Sequence, residues 1–445
     1  MYARGVSQTL TDESSVIGGP PTTPAVVLIA SGGKPLLRVL PVGGRTPRVT
    51  IGRELALASG VVDLGDGKAS RAHAEVRRSG DGWLVRDHDS RNGTFVDGRR
   101  IVGEVAAANG AVIRLGASLF WLVDDSAGLR DDGVTDDGEV VLGARSRAAI
   151  EAVRRSAGAP TLLILGESGT GKERLARTYH QHGPRGGGPF VAVNCAAIPS
   201  AIAERVLFGS RRGAYSGAED APGYVQAAHG GTLFLDELGE LALDLQAKLL
   251  RVLESREVWP VGATRGTPVE LGVVAATHRN LRADVGEGRF REDLYYRLTK
   301  PVVHVAPLRE RKDELPMLAR RALAAAGPGL AMHARFLEAL CLRPWPGNVR
   351  ELLHEVGAAG AAAIAAGLAE VRLEHLADDA GQSFATVDAT AAVAAAAVAV
   401  RELDRDQLTA ALAAAGGNVS GAARALGLHR TQLYRLLDRH GLDRS

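Results

Sequence analysis

The chain has 445 residues, 46% hydrophobic and only 4% aromatic, too long for one ordinary core, so roughly two to four modules are expected. Lys and Arg (53) almost balance Asp and Glu (51), which excludes a polycation that binds nucleic acid indiscriminately and makes any DNA contact a local one. The two cysteines, Cys195 and Cys341, have neither metal-ligand nor disulfide spacing, the start lacks a signal-peptide core, and no apolar run is long enough to span a bilayer; a soluble cytoplasmic protein without membrane contact is expected.

Residues 1–24 are polar and rich in Gly, Pro, Ser and Thr, and read as a disordered arm. Residues 25–124 carry short apolar runs ("VVLIA", "AHAEV", "GWLVRD", "TFVDG", "AVIRL") between Gly, Asp and Asn turns, the pattern of an all-β sandwich. Its turns hold "TIGRE", "ASRAHAEV" and "SRNGTFVDG" in that order. Arg53 offers a planar fork of donors, Ser70 and Ser90 offer hydroxyls, Asn92 an amide and Arg71 a further charge. His73 and Gly93 are given a structural role in shaping the loops. The three segments resemble a forkhead-associated (FHA) domain, which implies binding of a phosphothreonine peptide, the product of a Ser/Thr kinase, through Arg53, Ser70, Arg71, Ser90 and Asn92. Another protein or the chain's own arm at Thr9 can supply it.

Residues 125–139 are acidic and read as a linker. From 140 to 377, apolar strands ("TLLIL", "TLFLD", "LGVVAAT") alternate with helical stretches, which predicts a parallel α/β sheet. "GESGTGKE" follows the first of these strands and comprises Gly166, Glu167, Ser168, Gly169, Thr170, Gly171, Lys172 and Glu173. Its glycines let backbone N–H groups face phosphate oxygens, and Lys172 adds charge at the outer phosphates. Glu173 departs from the usual hydroxyl at the last position. "TLFLDELGE" delivers Asp236, able to hold Mg2+ through water, and Glu237, able to act as general base, at the carboxyl end of a strand.

With "PFVAVNCAAIP", "GRFREDLYYRL" and "RPWPGNVREL", this region resembles the AAA+ ATPase domain of sigma-54-dependent activators, the bacterial enhancer-binding proteins, with an α-helical lid. The resemblance implies ATP and Mg2+ as cofactors, with Asn194 as a switch on Glu237. It makes Thr277 and His278 the first sensor and Arg350 the second. Arg291 and Arg297 become arginine fingers reaching a neighbouring subunit of a hexameric ring; from the residues alone they are equally well solvated surface charges. "GAYSGA" (Gly213, Ala214, Tyr215, Ser216, Gly217, Ala218) matches the family's sigma-54 contact loop with Tyr for Phe and Ser for Thr, and a basic Arg211 stands where the family is acidic.

An Ala-rich linker (378–400) precedes an all-α tail, 401–445. "GNVSGAARALGLHRTQLYRLLDRHGL" reads as two short helices with Leu433, Leu436 and Leu437 facing a core. It resembles a Fis-type helix-turn-helix, which implies dimeric binding of upstream enhancer DNA through Arg424, His429, Arg430, Thr431, Gln432, Tyr434 and Arg435. The whole chain therefore reads as an ATP-dependent activator acting on sigma-54 RNA polymerase holoenzyme under phosphothreonine control. The alternative is a DNA-binding, phospho-responsive regulator or scaffold whose ATPase domain only oligomerises.

Overall fold

The computed structural model describes residues 23–383 apart from 45, 58–59, 81, 137–139 and 215–218, together with Thr409. The amino-terminal arm before residue 23, the loop residues Tyr215, Ser216, Gly217 and Ala218, and the tail residues Arg424, His429, Arg430, Thr431, Gln432, Tyr434 and Arg435 lie outside the described residues. Among the described residues no helix is long and apolar enough to cross a membrane.

The amino-terminal module is two antiparallel sheets. The strands 34–41, 25–31, 118–123, 112–115, 94–96 and 99–100 form one in that order, and 104–107, 82–87, 74–79 and 48–51 form the other. In the second sheet burial alternates along 48–51 and along most of 74–79, as a sheet with one wet face requires. Ile51, Val76, Trp83 and Val85 meet Leu28, Ile113, Phe120 and Leu122 from the first sheet in a shared core. The strands Ala25–Ser31 and Ser118–Val123 break the alternation, because every residue in them is buried. Their second face, carrying Val27, Ile29, Leu119 and Trp121, packs against Leu315, Leu318, Phe336 and Leu337 of the helical lid. Each such side chain contributes roughly 1.5–3 kcal/mol on burial. Sandwich and lid thus share a core.

The acidic segment after the sandwich is held along its described length rather than left loose. Asp131 accepts the Val39 N–H (2.8 Å), Asp132 pairs with Arg38, and Thr135–Asp136 forms a short antiparallel ladder with Val141–Leu142. Its carboxylates satisfy donors on the neighbouring edge of the sandwich, a use that composition alone does not reveal.

The central sheet is wholly parallel, in the order 190–194, 232–236, 272–277, 161–165, 302–304. Both of its faces are covered, Leu163, Leu233, Leu235 and Val273 on one side and Leu162, Ile164, Phe234 and Val274 on the other. Burial on both faces is why these strands read as unbroken apolar runs. The parallel register sets Leu165 beside Thr277 and Asn194 beside Asp236, so the carboxyl ends of four strands meet at one edge. The lid adds the helices Leu315–Ala326, Ala334–Leu342 and Asn348–Ala365.

Candidate functional site

The strand Thr161–Leu165 runs into the glycine loop, and the helix Lys172–His182 begins directly after it, so the helix amino terminus points into a cavity of about 540 Å3. Gly169 and Gly171 adopt φ of +75° and +100°, and a Cβ on Gly169 would stand 2.1 Å from the Gly347 carbonyl oxygen of the lid. Only glycine allows both that backbone and that approach. The Thr170 hydroxyl donates to the Glu167 carbonyl (2.7 Å) and braces the turn. Lys172 is buried, donates to the carbonyls of Gly166 (2.9 Å) and Glu167 (3.2 Å), and lies 3.6 Å from Glu237. Glu173 turns outward to Arg177 (2.6 Å).

Asp236 ends the strand Thr232–Asp236 half-buried. Burial pushes its carboxyl up, and the negative charges of Glu237 and Glu173 add to that while Lys172 opposes it. Glu237 has φ +51°, a left-handed backbone costing a non-glycine residue about 1–3 kcal/mol, and its carboxylate is bracketed by Lys172 and the His278 Nδ1 (2.7 Å). Strain of this kind concentrates at working residues. His278 reaches Glu237; Asn194 does not, since its side-chain oxygen caps the Ala196 N–H (3.0 Å). Thr277 is buried, and its hydroxyl oxygen accepts the Arg279 N–H (3.0 Å). Asp236 and Glu237 stand side by side at the cavity with Lys172 next to them, a donor set that fits a divalent cation beside phosphate.

The lid reaches the phosphate loop through residues that sequence reading passed over. Arg309 grips both oxygens of Glu167 (2.9 and 2.8 Å), which holds that carboxyl below the usual carboxylate range. Asn348, fully buried, donates to Glu167 (3.1 Å) and to the Ser168 carbonyl (3.0 Å) while accepting the Leu308 N–H (2.8 Å). It belongs to the same "PGNVREL" run as Arg350, whose exposed side chain lines the cavity. At the far wall Arg311 bonds Ser146 (2.8 Å) and Glu314 (3.2 Å), and Glu314 accepts the Gly143 N–H (2.9 Å). Burial pushes the Glu314 carboxyl up, with Arg311 opposing. The two remaining arginines stand apart from this cavity within the chain: Arg291 pairs with Asp293 (2.7 Å), and Arg297 donates to the Leu253 carbonyl (3.2 Å).

The base of the glycine-bracketed loop is closed by reciprocal bonds between Ser210 and Ala221 (2.9 and 3.0 Å), and Gly213 has φ +85°. Ala214 donates its N–H to the Arg211 carbonyl (3.1 Å), and Arg211 faces Asp220 (3.7 Å). Under the site, burial with Asp236 and Glu237 close by pushes the Cys195 thiol up to about 12, and burial does the same for Cys341. Both should stay unreactive toward Ellman's reagent in native buffer and titrate only in denaturant; rapid native labelling of either would contradict this burial.

In the sandwich, Arg53 and Arg71 are exposed and Ser70 is half-buried on adjoining loops, with the Arg53 N–H donating to the Ser70 carbonyl (2.9 Å). Asn92 is exposed beside them and ties its amide to the Lys68 carbonyl (2.7 Å). Ser90 points inward, its hydroxyl donating to Asp87 (2.6 Å), which also accepts from Thr94 (2.5 Å). Burial pushes the Asp87 carboxyl up, but these hydroxyl donors outweigh it and hold the group below its ordinary value. His73 is buried between the Ser70 N–H (3.0 Å) and the Gly93 carbonyl (3.2 Å), bracing both loops.

Residues 143–304 match the family described as the sigma-54 interaction domain, and 309–392 match an AAA+ ATPase lid domain. Residues 49–116 match the FHA domain, and 399–440 match the bacterial regulatory protein, Fis family. The chain is 41% identical over 327 residues to the DNA-binding transcriptional regulator NtrC of Escherichia coli strain K12, covering 68% of each chain. It is 50% identical over 201 residues to the hydrogenase transcriptional regulatory protein HoxA of Cupriavidus necator, 44% of this chain but only 42% of that protein's length. The solved structure of NtrX from Brucella abortus in complex with ADP superposes with a TM-score of 0.51 at 30% identity, over 69% of this chain and 70% of that one.

Proposed function

The chain belongs to the sigma-54-interacting transcriptional regulators represented by NtrC, and from that premise we propose that it couples ATP hydrolysis to remodelling of sigma-54 RNA polymerase at promoters whose upstream DNA its Fis-type tail holds. The observation that carries this reading is Glu237, kept in a strained backbone with its carboxylate between Lys172 and His278 at the mouth of the phosphate cavity. The loop Gly166–Glu173 cradles the phosphates, with Lys172 at the outer ones. Asp236 would hold Mg2+ through water, and the ion would supply charge neutralisation on the phosphates when bound. Glu237 orients and deprotonates the attacking water.

Thr277 and His278 act as one sensor and Arg350 on the lid as another. Arg291 and Arg297 serve a neighbouring copy's nucleotide in a ring, and Asn194 is the switch partner of Glu237 once nucleotide repositions it. Gly213 and Gly217 hinge the loop whose tip, Tyr215 and Ser216, meets the sigma factor. Arg53, Ser70, Arg71, Ser90 and Asn92 form the end of the sandwich that takes phosphothreonine, Ser90 through the loop it braces.

The test is transcription from a supercoiled sigma-54 promoter with purified holoenzyme and ATP. Open complexes that require hydrolysable ATP are expected. Vigorous ATPase activity without them would replace the activator by the oligomerising regulator or scaffold.

A further inference from the structure

A second cavity, of about 800 Å3, opens between the sandwich and the lid. Its walls are fixed to each other. A Cβ on Gly33 (φ +73°) would stand 2.2 Å from the Met332 carbonyl oxygen, Lys312 donates across to the Gly110 carbonyl (2.7 Å), and Arg114 meets Glu338 (2.7 Å) in a buried pair. The cleft is therefore a built feature of the folded chain rather than a gap between loosely apposed domains.

The cleft is continuous with the phosphate end of the sandwich. Lys68 and Asn92 line it, and the loop that carries Lys68 goes on to Ser70, whose carbonyl accepts the Arg53 N–H (2.9 Å). Its opposite wall is lid, contributed by His333, Arg335 and the 38%-exposed Leu342. The charges in it do not balance. Glu338 is spent on Arg114, and Glu370 on Arg372 (3.0 Å), whereas Lys68 and Arg335 are exposed and make no ion pair among the described residues. The Arg335 backbone N–H donates to His333 (3.2 Å), and among the described residues its guanidinium makes no hydrogen bond, which leaves it able to meet a ligand.

We infer that this cleft is the second half of a composite peptide site, in which the lid, through Arg335, selects an acidic residue in the sequence flanking the phosphothreonine. The inference rests on the phosphothreonine reading of Arg53, Ser70 and Asn92. A peptide so bound touches both modules at once. Its binding and the lid's arrangement are then linked, and each biases the other by the same factor.

The probe is a set of fluorescein-labelled degenerate phosphothreonine peptides, measured by anisotropy on the full chain, with Asp or Glu at the flanking positions in one set and alanine there in the other. The wild type should bind the acidic set about two- to fivefold more tightly, the range of one exposed charge pair. Arg335→Glu should abolish or invert that preference while changing affinity for the alanine set less than about twofold, and Arg335→Lys should restore most of it. An acidic preference that survives Arg335→Glu but falls in Lys68→Glu would confine the site to the sandwich and overturn the lid's part. Equal binding of unphosphorylated acidic peptides would overturn the composite site in favour of a plain acidic-ligand cleft. Failure of the wild type to bind even the alanine set would instead overturn the phosphothreonine reading beneath it.

Discussion

Replacing Glu237 by glutamine should lower the steady-state rate of ATP hydrolysis by about 10²- to 10⁴-fold, the usual contribution of a positioned general base, while leaving nucleotide affinity within a few-fold. The swap keeps the side chain's length and the left-handed backbone at φ +51°, which glutamic acid already tolerates. Glutamine can also still accept from His278 through its amide oxygen, so the bracket at 2.7 Å survives in form. What disappears is the charge attracted to Lys172 at 3.6 Å and the lone pair that takes the proton of water. In the proposed mechanism, bound phosphate would draw Lys172 away and loosen its hold on Glu237, freeing the carboxylate for water. Phosphate release followed by a coupled fluorescent sensor, alongside binding of a fluorescent ATP analogue, separates the two quantities. Unchanged turnover with unchanged binding would remove Glu237 from the role of base. A parallel collapse of binding would make the residue a structural support of the cavity.

The phosphate loop, the paired carboxylates and the parallel sheet were legible in the sequence because each is local. Gly166 to Glu173 and Asp236 with Glu237 are contiguous runs whose spacing is set by one turn of backbone. The grip of the lid on that loop was not legible, because Arg309 and Asn348 stand 142 and 181 positions from Glu167 and come together only through the tertiary fold. The sharing of a core by sandwich and lid left a trace that was readable in principle. "AVVLIAS" and "SLFWLV" lack the polar alternation of a sheet with one wet face, and both strands prove buried at every position. Reading them as ordinary sandwich strands settled the sheet and missed its second partner. Acidic residues 131 and 132 were likewise read as linker composition, although each meets a donor on the strand Lys34–Pro41. Composition reports what a segment avoids burying, and is silent about where its acceptors are used.

Removing one member of the Arg114–Glu338 pair should cost about 3–5 kcal/mol, the range for stranding a buried charge, whereas cutting the exposed Arg154–Glu151 pair should cost no more than about 0.5 kcal/mol. The two pairs have similar lengths, 2.7 and 2.9 Å, and the difference lies in burial. The side chains of Arg114 and Glu338 are 10% and 7% exposed, and those of Arg154 and Glu151 are 47% and 54% exposed. Arg114 also lies over the Phe95 ring at 3.8 Å, so a charge left behind by Glu338→Ala keeps one weak partner and no anion. The pair is nevertheless imperfect, since the second oxygen of Glu338 makes no hydrogen bond among the described residues. Its desolvation is therefore only partly offset. The double replacement Arg114→Met with Glu338→Leu should accordingly recover most of the loss and can exceed the wild type. Urea unfolding of the full chain checks this, with hydrogen exchange read by mass spectrometry on separate sandwich and lid peptides, since a chain of several modules need not unfold in one step and Trp345 of the lid would mix with Trp83 and Trp121 in fluorescence. If the pair couples the modules, Glu338→Ala separates the two transitions and the double replacement rejoins them. A loss from Glu338→Ala no larger than that at Arg154 would mean the contact opens in solution, and the shared apolar core formed by Val27, Leu119, Phe336 and Leu337 would then carry the junction without it.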